Sequence, residues 1–482
     1  MEKPKLGVSR ISRRFLIVAK WTIGVLSVLG LMFVGINWFD EDLSPEGKAL
    51  LIAPLNPYKP EENLYLALLG FDAKEGESPI ATAQERIAAY EKALPIALKD
   101  PPRAVEEFPD WAWWKAEKLE FRGKIDFCQP LTKSCLAGVE THRAEIDRLL
   151  KANQEFYRRY SSLHEVKGYH ETATPSFYFM GAYVPSPVRQ LYVANLALRV
   201  KSGTRLQQKA AIDDLRKDIR TWRRQLTGGG ALISKMVAVA YLQGDYALLS
   251  DIVADSKFDL EDSSPEIRSA LESPEDAWRI GSLFAFEYRS NAFMWDQLRI
   301  SKSKRSMWDS ASDERGWWGS VSDRITSPFF KINATQNLDA KIKAHLQKMA
   351  DADPAEFFVA RDAYRTWLRN NIEFGMHYVY NPFGKIIMNV ASNTYENYSL
   401  RAYDGAAFQR LVRLGYEIRN QKVEDKAVPS FMQRNPQWAS HPVDGRPFVW
   451  HEKKREIIVQ TLGQQPEGRR FSIRVWSAAP RN

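Results

Sequence analysis

Trp21–Phe39, WTIGVLSVLGLMFVGINWF, runs for nineteen residues without a charged side chain. Coiled as a helix it is roughly 28 Å long at ~1.5 Å per residue, close to the hydrocarbon core of a bilayer at about 30 Å. Phe15–Ala19 adds another apolar turn, with Lys20 able to extend its ammonium to the interface. Trp21, Trp38 and Phe39 mark the ends, where amphipathic rings favour the headgroup level. Ahead of the run stand Lys3, Lys5, Arg10, Arg13, Arg14 and Lys20 against the single acid Glu2; behind it come Asp40, Glu41 and Asp42. Positive charge is retained on the cytoplasmic side. The sequence therefore predicts a cytoplasmic tail at 1–14, a transmembrane signal anchor in the lipid bilayer at 15–39, and everything beyond on the other side.

Two other readings of this stretch are weaker. A cleaved signal peptide has a shorter apolar region and a small-x-small cleavage site, whereas here the run leads into Asn37-Trp38-Phe39-Asp40. Ser12-Arg13-Arg14-Phe15-Leu16 resembles part of a twin-arginine export signal, but it is one residue short of that spacing. An arginine pair before an anchor is ordinary positive-inside chemistry.

The formal charge of +9 suggests nucleic acid until it is apportioned: residues 1–20 carry +5, and the remaining +4 is spread over a mixed-sign chain. A nucleic-acid footprint is a clustered basic face, so no nucleic-acid partner is expected. With 12% aromatic residues and fifteen Trp among 482, a substantial packed interior is expected. Cys128 and Cys135 are the only cysteines. In an oxidising compartment they suit a short-loop disulfide, for which the chain-entropy account gives roughly 2.5 kcal/mol. Two free thiols are the other reading, and zinc lacks a second ligand pair. So few cysteines in an exported chain this long favour a bacterial envelope over a eukaryotic secretory lumen.

Residues 40–63, with four prolines, read as a partly extended stalk carrying one short helix, and 64–425 as a helical extracytoplasmic domain. Its helices open repeatedly on Ser-Pro or Asp-Pro, a cap followed by proline in the first turn, at Ser44, Ser78, Ser186, Ser264, Ser273 and Asp353. Ile212, Leu215, Ile219, Trp222 and Leu226 alternate gaps of three and four, which is one buried stripe. Gly228-Gly229-Gly230 should end that helix, and a second from Leu232 should stop at Gly244-Asp245. Further helices are expected at 79–99, 137–161, 187–201 and 274–299, and through Leu338–Met349 and Phe357–Leu368. Gly203 and Gly244 stand 41 residues apart at what read as matching helix ends. The predicted fold is mainly α, with irregular stacked helical hairpins resembling an α-solenoid. A small antiparallel β unit at 426–482 completes it, with strands near Phe448–Trp450, Ile457–Thr461 and Phe471–Trp476. Within it, Asp444–Trp450 (DGRPFVW) resembles the loop-and-strand endings of some secretion-system pseudopilins, over under a dozen residues.

No motif specifies a reaction class. His164-Glu165 and His170-Glu171 lie six apart, not at the i, i+4 spacing of a zinc-peptidase helix. Asp351-Ala352-Asp353 has the form of a metal-holding D-x-D, but Asp353 is placed to cap the helix begun by Pro354, with Glu356 completing a capping box. Ser301–Lys304 holds an S-x-x-K without its partner motif, and Gly384-Lys385 lacks the rest of a phosphate loop. Trp111, Trp113 and Trp114 read first as packing, whereas Trp317 and Trp318 are the better candidate for a surface aromatic platform in contact with glycan. The expectation is a single-pass bacterial inner-membrane protein without cofactor or bound metal. Its periplasmic domain is a scaffold or adaptor for an envelope protein partner; the alternative is an anchored envelope enzyme acting on glycan or peptide.

Overall fold

The computed structural model describes residues 10–97, 103, 106–107, 117–129, 134–176, 183–272, 277–302, 329–373, 375–392, 395–463 and 470–476. In chain order the helices are α1 (Arg10–Ile36), α2 (Pro45–Leu51), α3 (Leu64–Leu69), α4 (Pro79–Ala97), α5 (Arg143–Ala152), α6 (Gln154–Ser162), α7 (Ser186–Ser202), α8 (Arg205–Thr227) and α9 (Leu232–Ala254). Then come α10 (Ser264–Leu271), α11 (Leu283–Lys302), α12 (Ile332–Ala350), α13 (Phe357–Asn371), α14 (Pro382–Ser392), α15 (Tyr395–Asn420), α16 (Val428–Arg434) and α17 (Pro436–Ala439). Strands β1 (Val449–His451), β2 (Glu456–Gln460) and β3 (Arg470–Arg474) form one antiparallel sheet in that order. The chain is thus mainly helical with a small C-terminal sheet. It divides into two compact units, Met1–Ala49 with Leu298–Ile342 and Arg365–Asn393, and Leu50–Gln297 with Lys343–Tyr364 and Thr394–Asn482.

In the larger unit α7, α8 and α9 follow one another across short joints. Thr204 caps α8: its hydroxyl accepts from Gln207 N (3.3 Å) while Gln207 Oε1 accepts from Thr204 N (2.8 Å). The stripe from Ile212 to Leu226 is fully buried, as its period requires. The expected stop at Gly244-Asp245 does not occur, and α9 continues to Ala254. A glycine inside a helix costs about 1 kcal/mol, whereas each large apolar side chain buried beyond it returns about 1.5–3. Leu248, Leu249, Ile252 and Val253 are all buried, so burial wins. Gly203 does end a helix, but Gly244 lies inside one, and the apparent repeat dissolves. A solenoid repeat touches only its sequence neighbours, whereas α9 also packs along the distant α15.

α15 is buried along most of its length, and its buried polar residues, Asp404, Gln409 and Glu417, are each hydrogen-bonded or ion-paired. Glycines admit its neighbours: a Cβ at Gly405 would lie 2.4 Å from the Trp278 ring, and one at Gly415 would lie 2.6 Å from Ile473. Ile473 and Phe471 are the inward residues of β3, and Phe471 stacks on Phe408 of α15 at 4.5 Å. Asp404 clamps the loop between β2 and β3, accepting from Leu462 N (2.7 Å) and Gly463 N (2.9 Å). The stretch from 426 to 448 holds α16 and α17 before the first strand begins.

Other sequence expectations shift for identifiable reasons. The helix expected over 137–161 breaks at Asn153, whose amide accepts from Arg122 N (2.7 Å) and donates to Arg122 O (2.9 Å). The helix expected over 274–299 starts instead at Leu283. Ser44 and Ser78 cap α2 and α4 as expected, accepting from Gly47 N (3.1 Å) and Ala81 N (3.4 Å). Ser186 and Ser264 do not cap, because each is already the first residue of its helix.

In the smaller unit the last turn of α1 is bolted to two other segments. Asn37, fully buried, donates to Val379 O (2.6 Å) and accepts from Asn381 N (2.9 Å). Asn381, held at φ 52° in the left-handed region that asparagine tolerates, accepts from Lys331 N (2.9 Å) and donates to Thr335 Oγ1 (3.0 Å). The Asp40 carboxylate accepts from Asn333 N (2.9 Å) and Ala334 N (3.1 Å), capping α12 as the helix dipole favours. Phe33 stacks on Phe329 at 4.8 Å. The residues just past α1, the beginning of the 40–63 segment, are therefore tied down by hydrogen bonds.

Gly405 yields a test with an unusual sign. Alanine normally stabilises a helix interior by about 1 kcal/mol over glycine, but here its Cβ meets the Trp278 ring, so Gly405→Ala should destabilise by about 1–2 kcal/mol. Urea unfolding of the detergent-solubilised protein measures it, and a rise in stability would contradict the packing described.

Candidate functional site

Polar groups gather at three places in the larger unit. In the first, α6, α7, α8 and α9 converge on the buried guanidinium of Arg189. It donates to Asp218 Oδ2 (2.9 Å), Asp245 Oδ1 (2.6 Å), Tyr160 Oη (2.7 Å) and Tyr241 O (2.7 Å), and lies over the Tyr241 ring at 4.3 Å. His164 Nε2 stands 3.4 Å from the other Asp218 oxygen. Burial pushes the Asp218 carboxyl up, but Arg189 and His164 outweigh it and bring it down to about 2. Burial pushes Asp245 well above the carboxylate range, only partly opposed by Arg189. One guanidinium cannot keep two buried carboxylates ionised. Every member of this cluster is enclosed, so its work is internal.

The second place is the α8–α9 joint. Glu171 accepts from Tyr169 Oη (2.7 Å), Ser234 Oγ (2.6 Å) and Ala231 N (3.1 Å). Beside it the Lys235 ammonium donates to Gln225 O (2.9 Å) and to Gly228 O, tying the end of α8 to the start of α9. Burial, opposed by Glu171, brings Lys235 down to about 7. Such an amine has the acidity of a catalytic lysine, but it is fully enclosed and aimed at two carbonyls. It is a latch.

The third place is open. A cleft of about 850 Å³ is lined by α15, α17, Leu271, Glu272, Trp278 and Asp353–Ala355. Trp278, Tyr403 and Trp438 line it, with Arg410, Arg413 and Gln409 between them. The aromatic walls are fixed by their polar ends. Trp278 Nε1 donates to Gln409 Oε1 (2.8 Å), Gln409 Nε2 donates to Leu271 O (2.7 Å), and Tyr403 Oη donates to Ala352 O (3.1 Å). Arg413 pairs with Glu417 (2.6 Å) and lies over the Trp438 ring at 5.5 Å. Trp278 and Tyr403 are themselves buried and form the base of the cleft, so that the half-buried Trp438, Arg410 and Arg413 are what it presents.

The residues singled out from sequence fall elsewhere. Cys128 and Cys135 are joined through their sulfurs. Trp317, Trp318, Trp111, Trp113 and Trp114 lie outside the described residues, as does most of the S-x-x-K loop. His164 and Glu171 belong to two different buried clusters, and His170 bridges by its backbone to Gly229. Asp353 makes no side-chain cap; it pairs instead with Arg279, while Asp351 accepts from Gly281 N (3.0 Å). Among the described residues no group of three or more His, Cys, Asp or Glu is arranged to hold a metal ion. The cleft itself escaped sequence reading: its aromatics come from separated segments, and only Gly405, inside a long helix, hints at close approach. Comparison with protein-family models, with curated proteins and with solved structures returns no match for the chain.

Both buried clusters make measurable claims. Arg189→Met strands the Asp218 carboxylate in the interior and should cost about 3–5 kcal/mol, read from the urea midpoint in detergent. For Lys235 the folded value lies below the unfolded 10.5, so between about 7 and 10.5 the unfolded chain holds more protons and stability rises with pH. From pH 7 to 9 the gain should be on the order of 2 kcal/mol and should vanish in Lys235→Met. An unchanged slope in that variant would mean the amine is not desolvated.

Proposed function

We propose that the chain is a single-pass bacterial inner-membrane protein with a cytoplasmic N-terminus, whose periplasmic helical domain is a scaffold or adaptor receiving an envelope protein in the aromatic cleft. Its anchor is the N-terminal helix, long and apolar enough from Phe15 to Ile36 to cross a bilayer, with no part of that window buried in the protein. The positive-inside charge pattern supports the orientation, and the Cys128–Cys135 bond suits an oxidising compartment.

The observation that carries the binding role is the composition and rigidity of the cleft. Trp, Tyr and Arg dominate energetic hot spots, because they offer large area with few rotamers to freeze. Here Trp438, Arg410 and Arg413 are half-buried in one concavity, backed by Trp278 and Tyr403, which are buried and held by hydrogen bonds. Little ordering entropy is left to spend on binding. The two buried histidines, His164 and His441, are committed to Asp218 and Asp404.

Photo-crosslinking in native membranes tests this. Benzoylphenylalanine replacing the exposed Gln437 should give a discrete protein adduct that the same residue at exposed Glu85 does not. Trp438→Ala or Arg410→Glu should weaken capture by about 30-fold, the ~2 kcal/mol of a hot spot, with the fold unchanged. Equal adducts from both positions would refute the cleft as the docking site, and adducts to glycan strands would transfer the reading to the envelope-enzyme class.

A further inference from the structure

Helix α14, eleven residues long, is apolar on two opposite faces. Gly384, Met388 and Ser392, spaced by four, are buried, and Gly384 lies so close to α12 that a Cβ would stand 2.1 Å from Thr335 Oγ1. On the other side Phe383, Ile386, Ile387 and Val390 fall within an arc of roughly 100°. They are 38%, 48%, 40% and 74% exposed. Single exposed apolar residues are ordinary on any protein, but a stripe of four along a whole helix implies something that covers it.

The position of α14 says what that is. It begins directly after Asn381, which is hydrogen-bonded to Asn37 in the residue just past α1. Its first turn is therefore fixed beside the end of the membrane helix, where the exposed rings of Trp38 and Phe39 already stand at the level that aromatic residues prefer. A surface locked to that level meets lipid first.

We propose that α14 lies flat in the headgroup–acyl boundary of the bilayer that α1 crosses, its Phe383–Val390 stripe turned into the lipid. The inference rests on the anchor reading and adds a second attachment to it. The flat geometry follows from the length of the stripe. Standing on end, α14 would lift Val390 ~12 Å from Pro382, past a headgroup layer of about 5–8 Å, and leave half the stripe in water. Lying flat, it buries the stripe from end to end as interfacial helices do. Two attachments joined by the Asn37–Asn381 bonds hold the smaller unit at a set angle to the membrane, which one flexible tether could not do.

Depth-dependent fluorescence quenching tests it in the full-length protein, in phosphatidylethanolamine–phosphatidylglycerol vesicles. A nitrobenzoxadiazole label is placed on Val390→Cys, on Ile387→Cys as a second reporter in case the first variant misfolds, and on Val28→Cys within α1. Labels at 390 and 387 should be quenched more by lipid spin-labelled at the headgroup than by lipid spin-labelled deep in the acyl chain. The label at 28 should show the reverse ratio. If 28 is quenched while 390 and 387 are untouched by either lipid, the stripe faces water or is covered by protein, and the inference falls while the anchor stands. If 28 is also untouched, the anchor reading fails and this inference fails with it.

Discussion

Arg189 is the constraint on which the helical domain depends. From α7 its guanidinium satisfies groups on three other helices at once: Tyr160, Asp218, Asp245 and the carbonyl of Tyr241. Buried ion pairs of this kind give little net stability against an apolar core of the same volume, since desolvation consumes most of the Coulomb gain. What they impose is uniqueness. A slip of α9 by one turn against α7 would leave Asp245 and the carbonyl of Tyr241 buried without the Arg189 donors they now share. The same demand explains why α9 does not end at Gly244: Asp245, a residue that ordinarily announces a turn, is held inside by Arg189.

Around that fixed centre the other features follow in layers. The latch of Lys235 on Gln225 and Gly228 sets how α8 turns into α9. α9 in turn packs along α15, whose glycines at 405 and 415 let Trp278 and the sheet approach. The cleft is a consequence of those approaches. Its walls are rigid because Gln409 and the carbonyls of Leu271 and Ala352 occupy every polar end of its floor.

The smaller unit solves a different problem, that of closing off the end of its long apolar helix. Backbone amides left bare there, away from water, would be costly. Asn37, Asn381, Lys331, Asp40 and Asn333 convert those ends into a closed hydrogen-bond network. Short polar side chains suit the task, since they pair with backbone in tight geometry and, for Asn381, tolerate the left-handed region.

Local rules made much of this legible from residues alone. The length and purity of Trp21–Phe39 identified the apolar helix, the three-four period of Ile212–Leu226 placed α8, and alternation located the three strands. Each depends on neighbours within a turn or two of the chain. Other outcomes depended on distant partners. Gly244 read as a helix stop that burial overrode, and Asn153, which carried no signal within its expected helix, broke it to serve Arg122, thirty-one residues away. Asp353 met Arg279 instead of its own helix. Trp278, Tyr403 and Trp438 came to line one cleft only through folding, and α14 was not among the helices expected from sequence. Periodicity records which residues share a face; only tertiary contact decides what that face meets.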